Sequence, residues 1–288
     1  MSQKKPWLIF ALITTIFWGI WGALIEIPEK SGFPATLGYV VWSLSMIPCA
    51  IFALKAANWS LDKDMRSILL GTTVGLTGSV GQLLLFQALR EGPAYIVFPF
   101  ISLFPVCTVL LALIFLREKA KTRQWWGIGL ALIAIFFLSY QPGSASNGTE
   151  AGSWILYSVL VFLMWGVQAF VMKFSNDTMK AESIFFYMTV TSLLLAPVAL
   201  LMTDFSQPIE TGFKGPYLAF IIQILNSIGA LTLVYALRYG KAIVVVPMTG
   251  LSPIITVVIS LIIYGVIPSG GVASGVVMAT VAMYLLSD

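Results

Sequence analysis

The chain has 288 residues, 59% hydrophobic and only 10% charged, where a soluble domain carries roughly 25% charged residues. Such an exterior calls for lipid as its solvent, and the length fits about ten spanning helices of roughly 20 residues each, with no separate soluble domain. The net charge of +4 sits in short connections, so it reads as membrane topology and not as a nucleic-acid footprint; the absence of histidine excludes a His metal site, a catalytic triad and a His relay.

Taken in order, Trp7 to about Glu26 predicts the first span, being too long and too aromatic for a cleaved signal peptide. Apolar runs centred in 36–55, 67–89, 94–116, 123–140, 153–172, 183–203, 215–237, 242–264 and 270–286 predict nine more. All should be helical, because a backbone in lipid must satisfy its own hydrogen bonds. Cys49 and Cys107 fall inside spans without a CxxC spacing and read as packing residues. With the N-terminus inside, 13 of the 16 Lys and Arg residues fall on inner segments and 3 on outer ones. Both termini are therefore expected in the cytoplasm, with the protein integral to a bacterial inner (plasma) membrane.

The chain repeats itself. The segment ALREGPAYIVFPFISLFPVCTVLLALIF beginning at Ala88 recurs 148 residues later as ALRYGKAIVVVPMTGLSPIITVVISLII from Ala236. Arg90, Gly92, Pro99, Pro105 and Thr108 meet Arg238, Gly240, Pro247, Pro253 and Thr256; Trp18-Gly19 meets Trp165-Gly166 at an offset of 147. An odd number of spans per half forces the second half to enter from the other side. The predicted fold is an all-α polytopic membrane protein of ten transmembrane helices, arranged as two inverted five-helix repeats. Residues 1–140 and 153–288 form the halves and 141–152 the extracytoplasmic linker.

Pro99 and Pro105 in the fourth span, with Pro247 and Pro253 in the ninth, remove backbone donors at equivalent depths and predict kinks that line or move a cavity wall. Tyr95, Phe98, Ser102 and Pro105 share one helical face by spacing, and Ile243, Val246, Gly250 and Pro253 share the related one. Gln82, Gln168, Gln223 and Asn226 are amides deep in spans, and each needs a partner or a wet cavity. Glu26 is the acid nearest a span interior; it reads as an acid in the headgroup region, or as a gate or proton carrier at the outer mouth. The cavity candidates are Trp18, Gln82, Tyr95, Phe98, Ser102, Trp165, Gln168, Asn226 and Gly250. No mid-span cluster of Lys or Arg exists to clamp a phosphate.

Ten spans in two halves, the Trp-Gly pairs and the ALR-x-G…Pro…Pro runs resemble the drug/metabolite transporter superfamily, EamA branch. The resemblance implies a carrier of small metabolites, often amino acids or related compounds, through a central cavity. Where that family commonly has a Glu after the ninth span, this chain has Val266. The expected function is a secondary transporter for a small neutral or zwitterionic solute, working by alternating access. The other readings are a carrier for sugars or nucleoside-like solutes, or a non-transporting sensor or scaffold. No GxSxG, HExxH or phosphate-binding loop suggests an enzyme, and no cofactor or metal is expected.

Overall fold

A computed structural model describes residues 5–91, 97, 100–139, 153–264 and 269–287. Helices joined by short turns and loops make up the described residues, with no strand among them. Seven helices are long and apolar enough to cross a membrane, and three shorter apolar helices (Phe100–Phe115, Thr122–Leu138 and Gly270–Leu286) bring the total to ten. Large apolar side chains such as Leu201 (87% exposed) and Ile262 (79%) cover the outside, a surface that only lipid can solvate.

The first span is α1 (Pro6–Leu24), opened by Pro6 at the position where a missing N–H costs nothing, plus the short α2 (Glu26–Lys30). α3 (Ala35–Ala56) and α4 (Met65–Glu91) follow. Asp64 caps α4, accepting from Ser67 N at 3.1 Å and Ser67 Oγ at 2.7 Å. Those bonds hold its carboxyl below the ordinary value. A depressed value means this contribution is present above the unfolded carboxylate's range and fades as pH falls through the folded value. Asp64→Ala should therefore remove part of the acid dependence of the melting temperature, read by thermal scans at stepped pH.

The fourth span contains α5 (Phe104–Phe115), the fifth is α6 (Thr122–Ser139), and the second half begins with α7 (Ser153–Asn176) and α8 (Ala181–Leu201). A kinked turn, Phe213–Tyr217, with non-helical backbone at Gly215, leads into α9 (Leu218–Tyr239). The ninth span is α10 (Ala242–Thr249) and α11 (Pro253–Tyr264); α12 (Gly270–Leu286) is the tenth.

The predicted kinks need correction. Pro99 lies outside the described residues. Pro105 and Pro253 do not bend continuous helices: each stands at the start of a new segment after a break, at Leu103 in one half and at 250–252 in the other. The breaks are repeat-equivalent and closed by matching turn bonds. Val106 N donates to Leu103 O at 2.9 Å, and Ile254 N donates to Leu251 O at 3.0 Å. Proline's fixed φ and missing N–H suit the first turn of a helix, where Pro253 stands first and Pro105 second, so the chain restarts there instead of bending. Pro247 does lie inside a helix, α10.

Packing follows the repeat. α1 lies against α9 as α7 lies against α4, and α1 against α11 as α7 against α5; α3 meets α8 and α6 meets α12 across the axis. Individual bonds are duplicated too. Trp18 Nε1 donates to Asn226 O at 3.3 Å, and Trp165 Nε1 to Gly78 O at 3.4 Å. Thr256 Oγ1 donates to Gly19 O at 2.8 Å, and Thr108 Oγ1 to Gly166 O at 2.9 Å. Such pairing is that of a two-fold relation between the halves, and with five spans in each the second half is inverted. The two ends of the chain meet on one face, where Lys5 Nζ donates to Ser287 O at 3.0 Å. We call this the terminal face and its opposite the far face. The stretch 141–152 lies outside the described residues.

Candidate functional site

A cavity of about 220 Å³ sits midway along the helices, between the halves. Its lining is largely made of repeat-equivalent pairs: Trp18 with Trp165, Trp21 with Gln168, Gly78 with Asn226, Gln82 with Ala230, and Phe104 with Ser252. The cavity thus straddles the pseudo-two-fold axis, yet paired positions carry different chemistry. Trp21, Trp42, Gln82 and Asn226 also line a larger vestibule of about 720 Å³. Its rim includes Glu26, Glu29, Lys30 and Phe33, so the vestibule opens on the far face.

Toward the terminal face the cavity ends on Met172, Met188, Ala230 and Leu233. Beyond them the helix ends are tied together. Lys173 Nζ donates to Leu237 O at 3.1 Å, Asn176 Nδ2 to Val234 O at 3.1 Å, and Arg238 Nη1 to Asn176 O at 2.8 Å and Met179 O at 2.7 Å. Across the halves, Lys180 N donates to Asp62 Oδ2 at 2.7 Å and Tyr187 Oη to Asp62 O at 2.7 Å. Glu118 accepts from Ala242 N and Ile243 N, both at 3.0 Å. Among the described residues, the terminal face is closed and the vestibule leads toward the far face.

Glycines seat the polar lining. Gly81 and Gly229, equivalent in the repeat, leave room for the indoles of Trp165 and Trp18: an added Cβ would lie 2.7 Å and 2.4 Å from them. A Cβ at Gly78 would lie 2.1 Å from Gln168 Nε2. Because that contact is the free end of a flexible side chain, Gly78→Ala should fold with a nearly unchanged melting temperature while displacing the Gln168 carboxamide. A several-fold change in apparent affinity for the transported solute, at constant expression, is the expected readout.

Of the sequence candidates, Trp18, Gln82, Trp165, Gln168 and Asn226 are brought together here. Tyr95 and Phe98 lie outside the described residues. Ser102 is not in the lining, and Gly250 faces Ile135 and Pro105 in the packing between helices. Both stand at or beside a helix break, where spacing no longer tracks one face. Glu26 is on the vestibule rim, its side chain 60% exposed and paired with Lys30 at 2.5 Å. Sequence reasoning missed Trp21, Trp42, Phe104 and Ser252. Trp21 was reachable through the repeat register, as the partner of Gln168; Phe104 and Ser252 are partners of each other, so the register offered no starting point for either; Trp42 sits in α3, whose apolar residues surround the whole helix.

A lipid-facing helical shell, two inverted halves and a half-open polar cavity on their shared axis define a membrane transporter. The family model for the EamA-like transporter family matches residues 5–140 and 152–288. The chain belongs to that family, and so to the drug/metabolite type of transporter, whose members are transporters and not enzymes. An uncharacterized transporter of Archaeoglobus fulgidus is 20% identical over 282 residues, covering 97% of each chain. An uncharacterized protein of Methanocaldococcus jannaschii is 33% identical over 133 residues, 46% of this chain and 95% of its own. A protein crystal structure superposes with a TM-score of 0.81 at 16% identity, over 98% of this chain and 96% of its own, a likeness of fold.

Proposed function

We propose that the protein is a gradient-driven carrier that moves a small solute without net charge by alternating access. The reading rests on one observation: a two-fold related framework encloses a cavity open on one face only. Exchanging the conformations of the two halves would close the far face and open the terminal one. Trp18, Gln82, Trp165, Gln168 and Asn226 would bind the solute, and the broken spans with Pro105, Pro247 and Pro253 would form the moving walls. The halves 1–140 and 153–288 act as the two rocking units, joined by 141–152. The bias of cations toward the terminal face supports placing that face in the cytoplasm, with the protein in an inner (plasma) membrane.

Purified protein in liposomes should exchange labelled solute against unlabelled solute inside, above empty vesicles. A single cysteine replacing Met188 should react with an impermeant reagent from the terminal face only when the cavity has reversed. Absence of exchange for every solute that binds, with Met188 never reached, would leave a sensor or scaffold instead.

A further inference from the structure

We propose that the deep cavity is built for a flat, uncharged nitrogen heterocycle of the nucleobase kind, and not for an amino acid. The proposal rests on the carrier reading and names its solute class.

Four indoles line the cavity, and none offers it a hydrogen-bond donor. Trp18 and Trp165 spend their N–H groups on backbone carbonyls, and Trp21 donates to Gln223 Oε1 at 3.0 Å. Trp42 Nε1 is buried within the protein without a partner. The rings therefore present carbon, a surface that suits stacking with another flat ring system.

The polar face of the cavity is supplied by the carboxamides of Gln82, Gln168 and Asn226, which make no hydrogen bond within the described protein. Each offers two donors and one acceptor side by side. That arrangement matches the edge of a heterocycle in which ring nitrogens and exocyclic oxygen or amino groups alternate. Water in the half-open cavity can pair these amides, so a ligand must replace that water with groups that match them, and one that does not match loses affinity.

Charge is excluded on three counts. Among the described residues no Lys, Arg, Asp or Glu lines the deep cavity; Glu26, Glu29 and Lys30 stand on the vestibule rim, and Lys173 beyond the cavity floor donates to Leu237 O. A carboxylate brought to this depth would be desolvated without a counter-charge. Nor does the helix break beside Ser252 provide a nest of free N–H groups. Gly250, Leu251, Ser252, Ile254 and Ile255 all donate to carbonyls of the preceding turn, and Pro253 has no donor. A sugar fits no better, since hydroxyls all round its ring would meet indole carbon and remain unpaired. The volume of about 220 Å³ is below the ~300–1,000 Å³ of sites for drug-sized ligands, which restricts the solute to a small ring system.

The test uses the full chain in lipid nanodiscs, with uracil, adenine and nicotinamide as probes beside phenylalanine and glucose. Tryptophan fluorescence and thermal shift should report saturable binding of at least one heterocycle and none of phenylalanine or glucose. Gln168→Met and Asn226→Leu should each weaken it about tenfold or more while leaving the melting temperature within a few degrees, and a Gln82→Met variant provides a third reading if either fails to fold. Tighter binding of phenylalanine or glucose than of every heterocycle overturns the proposal, as does binding indifferent to all three amides. Failure of all three heterocycles to bind folded protein also overturns it. Exchange of amino acids in liposomes with no heterocycle exchange would overturn the solute class and keep the carrier. Heterocycle binding without any exchange would keep the class and remove the carrier.

Discussion

Gly19→Ala is expected to abolish solute exchange and to lower the melting temperature of detergent-purified protein by a few degrees, roughly 2–6 °C. At Gly19, α1 touches α11 with no room for a side chain. An added Cβ would lie 2.3 Å from Ile255 Cβ and 2.8 Å from Ser252 O. The second contact is backbone and cannot swing away, so the helices must part. Parting them stretches the bond from Thr256 Oγ1 to Gly19 O and disturbs Ser252, which lines the cavity. Overpacking costs about 1–3 kcal/mol, and a rigid backbone contact places this site toward the upper end, above the ~1 kcal/mol that alanine gains over glycine in a helix. The related Gly166→Ala should be milder, since its nearest neighbours are Cys107 side-chain atoms at 2.5 Å and 2.6 Å and the carbonyl lies at 3.2 Å. Gly129, where an added Cβ meets nothing within 4 Å, provides the control: Gly129→Ala should melt at or slightly above the parent temperature. Equal melting for all three variants would contradict the packing argument.

Glu118→Ala should bias the protein toward opening on the terminal face. Arg117 turns the chain with a left-handed φ of 51°, and Glu118 then reaches the other half, its two oxygens capping the first two N–H groups of α10. Lys241 Nζ adds a bond to Lys119 O at 2.6 Å. The repeat partner of Glu118 in the sequence is Val266, which has no carboxylate, and among the described residues this fastening is found on the terminal face. Hydrogen bonds to a charged group contribute about 1.5–3 kcal/mol, so their loss shifts the open-to-closed ratio about 10- to 100-fold. A cysteine at Met188 in a background lacking Cys49 and Cys107 should be modified faster from the terminal face by a comparable factor. Glu118→Gln, which keeps one acceptor, should fall between. Unchanged labelling with a lowered melting temperature would make Glu118 a structural cap only.

Much of the architecture was legible because it is written twice. The proline pairs, the ALR-x-G runs and the two Trp-Gly pairs carry the repeat, and Thr108 with Thr256 turned out to make the same bond in each half. The cavity was only partly legible. Gln82, Gln168 and Asn226 stood out because an amide in an apolar helix demands a reason. Gly250 and Ser102 were misplaced because face arguments assume an unbroken helix, and each lies at or next to a break. Trp42 could not be singled out, since an indole in a span is as often at the lipid interface as in a cavity. The close seating of α4 on α7 and α8, through Gly71, Gly75, Gly78 and Gly81, depends on which helices are neighbours, and hydropathy does not carry that information.

The meeting of Lys5 with Ser287 has an engineering consequence. Joining these ends with a short Gly-Ser tether and cutting within 141–152 would produce a circular permutant whose second half is translated first. The cut falls in the connection between the halves, and no interhelical contact described here depends on chain order. Such a permutant should insert, melt close to the parent and retain exchange, making the order of synthesis separable from the assembled form.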